Sequence, residues 1–351
     1  MIGAAGSTDR GRNGFPAPSF AHLRRLTDAG GLFEHARHTT PRREHGYCVD
    51  DVARGLVVLH REPAGAPDLR EHYLTFVLAA QGGDGRFRNR RAADLRWHGP
   101  LSVDDCWGRA LWGLGAAAAD PRALTAFDRG AQWRSPSPRA MAFAALGAAE
   151  VLAVRPEHRG ARDLLGATAA AIGRPSPHPV WPWPEPRLAY ANAVLPEALL
   201  AAGVALGAPA LVADGLALLG WLLDLQTRDG HLSVVPVGGR GPGEHGPGFD
   251  QQPIEAAALA DACARAHAVT GEDRWRRGVA LAVGWFLGDN DTGVALHAPG
   301  GGCCDGLRPD GRNENQGAES TLALVSALQR ARALPVGPSL QATAPSVSGT
   351  G

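Results

Sequence analysis

Apolar residues along the chain fall into two alternating kinds of stretch. The first kind is Ala-rich and apolar on nearly every face, over 51–60, 105–119, 138–154, 189–206, 253–270 and 317–333. The second kind carries charge along one side, over 19–29, 69–81, 121–132, 156–172, 208–226 and 273–287. A helix apolar all round must be buried all round, whereas an amphipathic helix covers a core and meets water. Six of the first kind alternating with six of the second predict an all-α fold, an (α/α)6 toroid. Its inner ring lines an axial cavity and its outer ring faces solvent. The spacing of about fifty residues per pair fits a stacked array of helical hairpins.

Each inner stretch opens on a polar cluster that follows a loop rich in Gly, Pro or Asp-Gly. Three linkers, 81–87, 226–232 and 290–294, read as Asp-Gly-type turns opening short extended segments. They fall between an outer helix and the next inner one, so they gather at one mouth of the barrel. Polar groups at the starts of buried helices then converge on one shared pocket.

Composition narrows the possibilities. The 351 residues fit one toroid at 16–335, with a flexible start at 1–15 and a Pro/Ser/Gly/Thr-rich disordered tail at 336–351. Lys+Arg and Asp+Glu are 35 each, and every fixed cation is Arg. Such a balance offers no basic field for nucleic acid and no polybasic membrane anchor. Without Lys there is no phosphate-cradling P-loop; Cys-x-x-Cys, His-Glu-x-x-His and Asp-Asp-x-x-Asp are absent too. Five Cys without metal-like spacing point to a reducing, cytoplasmic setting, and neither a metal nor a cofactor is expected. The start lacks an apolar signal core. The apolar run 198–223, broken by Gly and Pro, reads as a buried helix pair rather than a membrane span.

Carboxylates mark the inner helix starts. Asp50-Asp51 is followed by Arg54 and Asp104-Asp105 by Arg109, spacings that place each Arg on the face of the second Asp. The plainer reading is that these carboxylates cap free backbone N–H groups. Glu255 follows Gln251-Gln252-Pro253, with Pro suited to a first helical turn and the two Gln the neutral kind of group that reads sugar hydroxyls. Glu314, Asn315, Gln316 and Glu319 crowd the start of the last inner helix, too many polar groups to bury without a partner. Trp181 and Trp183 in a stiff Pro-rich loop, with Tyr47, Trp107, Tyr190 and Asn192, read as contacts for pyranose rings. His45 and His98 precede the two Asp doublets at matching positions and read as further sugar contacts.

The runs Gly46-Tyr47-Cys48-Val49-Asp50-Asp51, Val103-Asp104-Asp105-Cys106-Trp107-Gly108-Arg109 and Asn315-Gln316-Gly317-Ala318-Glu319-Ser320-Thr321 carry a resemblance. Together they resemble a bacterial family of six-hairpin, glycosidase-like (α/α)6 proteins found beside or fused to group 1 glycosyltransferases and mannoside phosphorylases. The likeness spans about residues 15–335, and Val52 stands where Asn is expected before Ala53-Arg54. It implies an oligosaccharide substrate, mannose-containing ones included, and a glycosyltransferase as functional partner. Hydrolysis with inversion would use two carboxylates. Glu255 and Glu319 are the expected acids; Asp51 and Asp105, held ionised by Arg54 and Arg109, the expected bases. Two other classes share the scaffold. A sugar 2-epimerase would draw on His45, His98, His231 or His245. A non-catalytic glycan-binding partner of a glycosyltransferase needs the same pocket without turnover.

Overall fold

Twelve α-helices follow one another in the described residues, 14–62 and 65–335, of the computed structural model. The expected tail at 336–351, and all but Gly14 and Phe15 of the expected flexible start, lie outside them. The inner helices are α2 (Val49–Arg61), α4 (Asp105–Ala116), α6 (Pro138–Val154), α8 (Val194–Leu206), α10 (Pro253–Thr270) and α12 (Ala318–Ala333). The outer ones are α1 (Ala21–Leu26), α3 (Pro67–Ala80), α5 (Pro121–Gly130), α7 (Arg159–Ile172), α9 (Pro209–Gln226) and α11 (Asp273–Leu287). Each inner helix packs on the next, and α12 packs on α2, which closes the ring. The architecture is the all-α (α/α)6 toroid.

Burial explains why each stretch takes its place. Along α6, every residue from Arg139 to Ala148 is buried. On α5 only Ala123, Ala126, Phe127 and Gly130 are, the narrow stripe of an amphipathic helix. Pro within the first turn of α3, α5, α6, α9 and α10 sets helical φ where no N–H bond is lost. Gly207 and Gly271 end α8 and α10 in the left-handed region. Asp229 and Gly230, both at positive φ, turn the chain from Thr227–Arg228 into His231–Leu232, as the Asp-Gly signal predicts.

Several boundaries differ from the sequence reading. Helix α8 begins at Val194 rather than 189, because Tyr190-Ala191-Asn192 forms a separate loop. Helix α1 ends at Leu26, where Thr27–Asp28 leaves to pair with Gly31–Leu32. Helix α7 starts at Arg159, capped by His158, whose Nδ1 accepts from Ala161 N–H at 3.1 Å. Among the described residues no strand opens directly from the turn at 290–294; the next is Gly306–Arg308.

Helices α4 and α6 meet backbone to backbone. A Cβ at Gly108 would overlap the carbonyl oxygen of Ala140, and one at Gly147 that of Leu111. Because each outer helix returns the chain, all six inner helices start at the same end of the ring. That end gathers their first-turn side chains. We expect Gly147→Ala to cost about 1–3 kcal/mol by overpacking, read as a lower midpoint in thermal denaturation. Gly166→Ala, on the exposed side of α7 with nothing within 4 Å, should instead be neutral or stabilising by up to about 1 kcal/mol.

Candidate functional site

A polar cavity of about 410 Å³ lies at the end where the inner helices begin. Five carboxylates border it: Glu34, Asp50, Asp51, Asp305 and Glu319. Three guanidiniums, those of Arg54, Arg90 and Arg109, stand among them. His35, Cys48, Gln252, Asn313 and Asn315 complete most of the wall. The convergence of helix N-termini favours negative charge here.

Neither Asp doublet acts as a helix cap. The N-cap of α2 is Cys48 and that of α4 is Asp104, and neither makes a side-chain capping bond. Asp50, Asp51 and Asp105 instead turn to arginines. Arg54 donates to Asp51 Oδ1 at 2.5 Å through Nη1 and to Glu319 Oε2 at 2.6 Å through Nη2. One guanidinium thus joins α2 to α12. Burial, reinforced by the Glu319, Glu34 and Asp50 charges, pushes Asp51 up to about 8 despite Arg54. Burial thus works against the ionised form in which Arg54 was expected to hold Asp51.

Its neighbour behaves oppositely. Burial would raise Asp50, but Arg109, Arg54 and an Asn89 hydrogen bond outweigh it and hold the group below the ordinary Asp value. Arg109 Nη1 lies 2.9 Å from Oδ1, and Asn89 Nδ2 donates to Oδ2 at 2.8 Å. Oδ1 is buried against the Arg109 guanidinium. Arg109 also reaches Asp105 at 3.3 Å, and Asp105 accepts from Tyr190 Oη–H at 2.8 Å. Asp105 and half-exposed Tyr190 thus stand behind Arg109 rather than on the cavity wall.

Glu255 is buried outside the wall. It accepts from the backbone N–H groups of Ala191 and Asn192 and from Asn192 Nδ2 at 3.0 Å. Burial pushes it up to about 7 against those donors. Ala191 sits at φ 45°, a non-glycine in the left-handed region. Glu255 and Arg139, whose Nη2 donates to Asn192 Oδ1 at 3.0 Å, hold that loop in place. Glu255 is a strut for Tyr190-Ala191-Asn192, not an acid facing the cavity.

Other expected contacts also lie elsewhere. Trp181 and Trp183 are buried against Trp221, with Trp183 Nε1 bonded to Glu185. Trp107 is core and donates to Gly130 O. Tyr47 stacks on Phe33 and its hydroxyl donates to Asp28. Gln251 is buried between Asp291 and Trp285, whereas Gln252 reaches the wall. Gln316 is buried, and its backbone carbonyl meets His22 Nε2 at 2.9 Å. Glu314 pairs outside with Arg312 at 2.9 Å, and Asp104 and His98 are exposed. His45 packs edge-on against His35, away from the wall.

Among the described residues, Glu34, Cys48 and Asp51 place ligand-type atoms within 4.8 Å of one another. Arg90 already pairs with Glu34 and Arg54 with Asp51. The charge a cation would need is thus taken by guanidiniums, so the residues do not fit a metal centre.

No family model and no curated protein matches the chain. Solved structures do. A sugar epimerase from a ruminal bacterium is similar over 90% of this chain and 96% of its own, with 12% identity and a TM-score of 0.68. A GH76 α-mannanase from Bacteroides thetaiotaomicron is similar over 89% and 92%, with 10% identity and a TM-score of 0.63. An inactive α-1,6-mannanase variant from Salegentibacter sp., bound to α-1,6-mannotriose, is similar over 89% and 96%, with 9% identity and a TM-score of 0.60. The chain has the glycosidase-like (α/α)6 fold. That fold is shared by hydrolases and epimerases alike, so the chemistry must be read from the side chains.

Sequence reasoning missed Glu34, His35, Cys48, Arg90 and Asp305. Cys48 alone had a signal, its place beside Asp50-Asp51. Replacing Arg54 by Met should cost about 3 kcal/mol, toward the low end for a broken buried pair because Glu319 stays partly solvated. Chemical denaturation should show a smaller loss at pH 5, where Asp51 carries its proton, than at pH 9. Glu255→Gln presents an amide N–H₂ to N–H donors and should cost about 1–3 kcal/mol. Because Glu255 is raised in the fold, its carboxyl favours folding below the ordinary Glu range. That advantage disappears as pH rises through about 7. The variant's stability should accordingly decline less than wild type between pH 5 and 8.

Proposed function

We propose that the protein hydrolyses a glycosidic bond in the polar cavity, with Asp51 as general acid and Asp50 as its ionised partner. What carries this is the pair of consecutive carboxyls on one wall in opposed electrostatic surroundings. Asp51 is pushed up to about 8, and Asp50 is held down by Arg109, Arg54 and Asn89. Carboxyls driven apart in this way mark an acid and a base. Asp51 gives its proton to the leaving oxygen. Asp50 meets the carbon that develops positive charge, either itself or through a water that it deprotonates. Gln252, Asn313, Asn315 and His35 supply the neutral and ring groups that read sugar hydroxyls.

Two further observations support the reading. In the inactive mannanase variant noted above, two consecutive aspartates are replaced by asparagine. An epimerase of the two-imidazole kind needs a pair of histidines in the pocket. Among the described residues this wall has one, His35; His231 pairs with Asp291, and His45, His98 and His245 are exposed and off the wall. An α-linked mannoside is the first substrate to try, since mannanases are among the similar structures.

Asp51→Asn and Asp50→Asn should each lower turnover of α-1,6-mannotriose, or of the best glycan from a panel, by at least about a thousandfold with the fold intact by circular dichroism. Wild-type activity should fall tenfold per pH unit above about 8 as Asp51 loses its proton. Proton NMR of the first-formed anomer separates the two uses of Asp50: inversion for water activation, retention for direct attack. Wild-type turnover in both variants would defeat the assignment. Deuterium entering C2 of a reducing sugar in heavy water, without cleavage, would replace hydrolysis by epimerisation.

A further inference from the structure

Below the polar cavity, a second chamber of about 50 Å³ lies within the ring. All six inner helices line it. Its walls are mostly carbon, from Val57, Trp112, Phe143, Val194, Ile254 and Leu322. Arg54 and Glu319 border both spaces, so the chamber begins where the polar cavity ends.

Its polar groups are already engaged. At the upper boundary Arg54 is shared between Asp51 and Glu319. At the lower boundary Asp261 pairs with Arg61 at 2.9 Å and Arg330 at 2.5 Å, and accepts from Ser326 Oγ at 3.0 Å. Glu197 pairs there with Arg265 at 3.1 Å. A water needs about 10–15 Å³ and two to four polar partners. The chamber has the room, but its wall is mostly carbon and its few polar groups are already paired. An apolar group entering it would displace poorly held water and meet aromatic and branched walls.

We propose that this chamber is a subsite for a methyl-terminated substituent on the sugar held above it, so that the ligand is a deoxy- or acyl-substituted hexose rather than a fully hydroxylated one. The inference rests on the sugar-binding reading of the polar cavity. A hydroxyl pointed into the chamber would lose its hydrogen bonds, and a methyl would not. The Arg54–Glu319 pair marks the boundary between the hydroxyl-reading and methyl-reading parts of one ligand.

Calorimetric titration of the full chain with D-mannose, 6-deoxy-D-mannose and N-acetyl-D-mannosamine tests it. At least one methyl-bearing sugar should bind roughly tenfold more tightly than mannose, the usual worth of a small group in an apolar pocket. The tighter of the two identifies the substituent as deoxy or acetyl. Ala323→Leu, which fills the chamber from α12, should reduce that sugar to the affinity of mannose. Ala258→Leu from α10 does the same from the facing side, should the first variant fold poorly. Equal affinity for all three sugars overturns the proposal alone. So does a preference that survives in a folded chamber-filling variant. If none of the sugars binds, the sugar-binding reading falls with it.

Discussion

Arg54 is the interaction on which the rest turns. A guanidinium planted inside a ring of apolar helices must be neutralised there, since an unpaired buried charge costs several kcal/mol. Its fork reaches Asp51 on its own helix and Glu319 on the last inner helix. The bond to Glu319 ties the first and last inner helices together where the ring closes. The bond to Asp51 works against burial, which disfavours its charge, and against three other carboxylates on the same side. Closure of the fold and poising of the acid thus come from one residue.

The remaining charge within the ring follows the same rule with a different outcome. Asp261, Arg61, Arg330 and Ser326 pair with one another beside Glu197 and Arg265 at the far end of the chamber. Carboxylates and guanidiniums meet there with few groups left over, which makes a plug. At the other end five carboxylates face three guanidiniums, and part of the wall is amide. The imbalance leaves acceptors for a ligand and a proton for Asp51. Between them, the close contact of α4 and α6 through Gly108 and Gly147 leaves room for Trp112 and Phe143 to face inward.

The fold was legible because its signal is periodic. Helices apolar on all sides could only be inner ones, and Asp50, Asp51, Arg54, Arg109 and Glu319 stood at their starts. Glu34, Arg90 and Asp305 were not legible, since they arrive from short strands and loops whose approach to the cavity depends on tertiary pairing. Trp181 and Trp183 looked like ring platforms because Pro stiffens their loop. Trp221 on α9 covers them instead, and a chain-local view cannot see a partner forty residues away. Glu255 misled for a related reason. Its burial was foreseeable from an apolar helix, but not the loop at 190–192 that folds over it.

Two carboxyls adjacent in sequence are an economical way to obtain an acid and a base, but only if the fold treats them differently. Consecutive side chains on a helix point about 100° apart. One therefore faces the ring interior and the other the neighbouring helix. Asp50 meets Arg109 of α4 and an asparagine donor from the loop at Asn89. Asp51 meets Arg54 together with the negative charge of Glu319 and Glu34. Neither the doublet nor its arginines alone would separate the two. The separation arises because α2 stands between α4 and α12, taking a cation with a donor from one side and surplus carboxylates from the other.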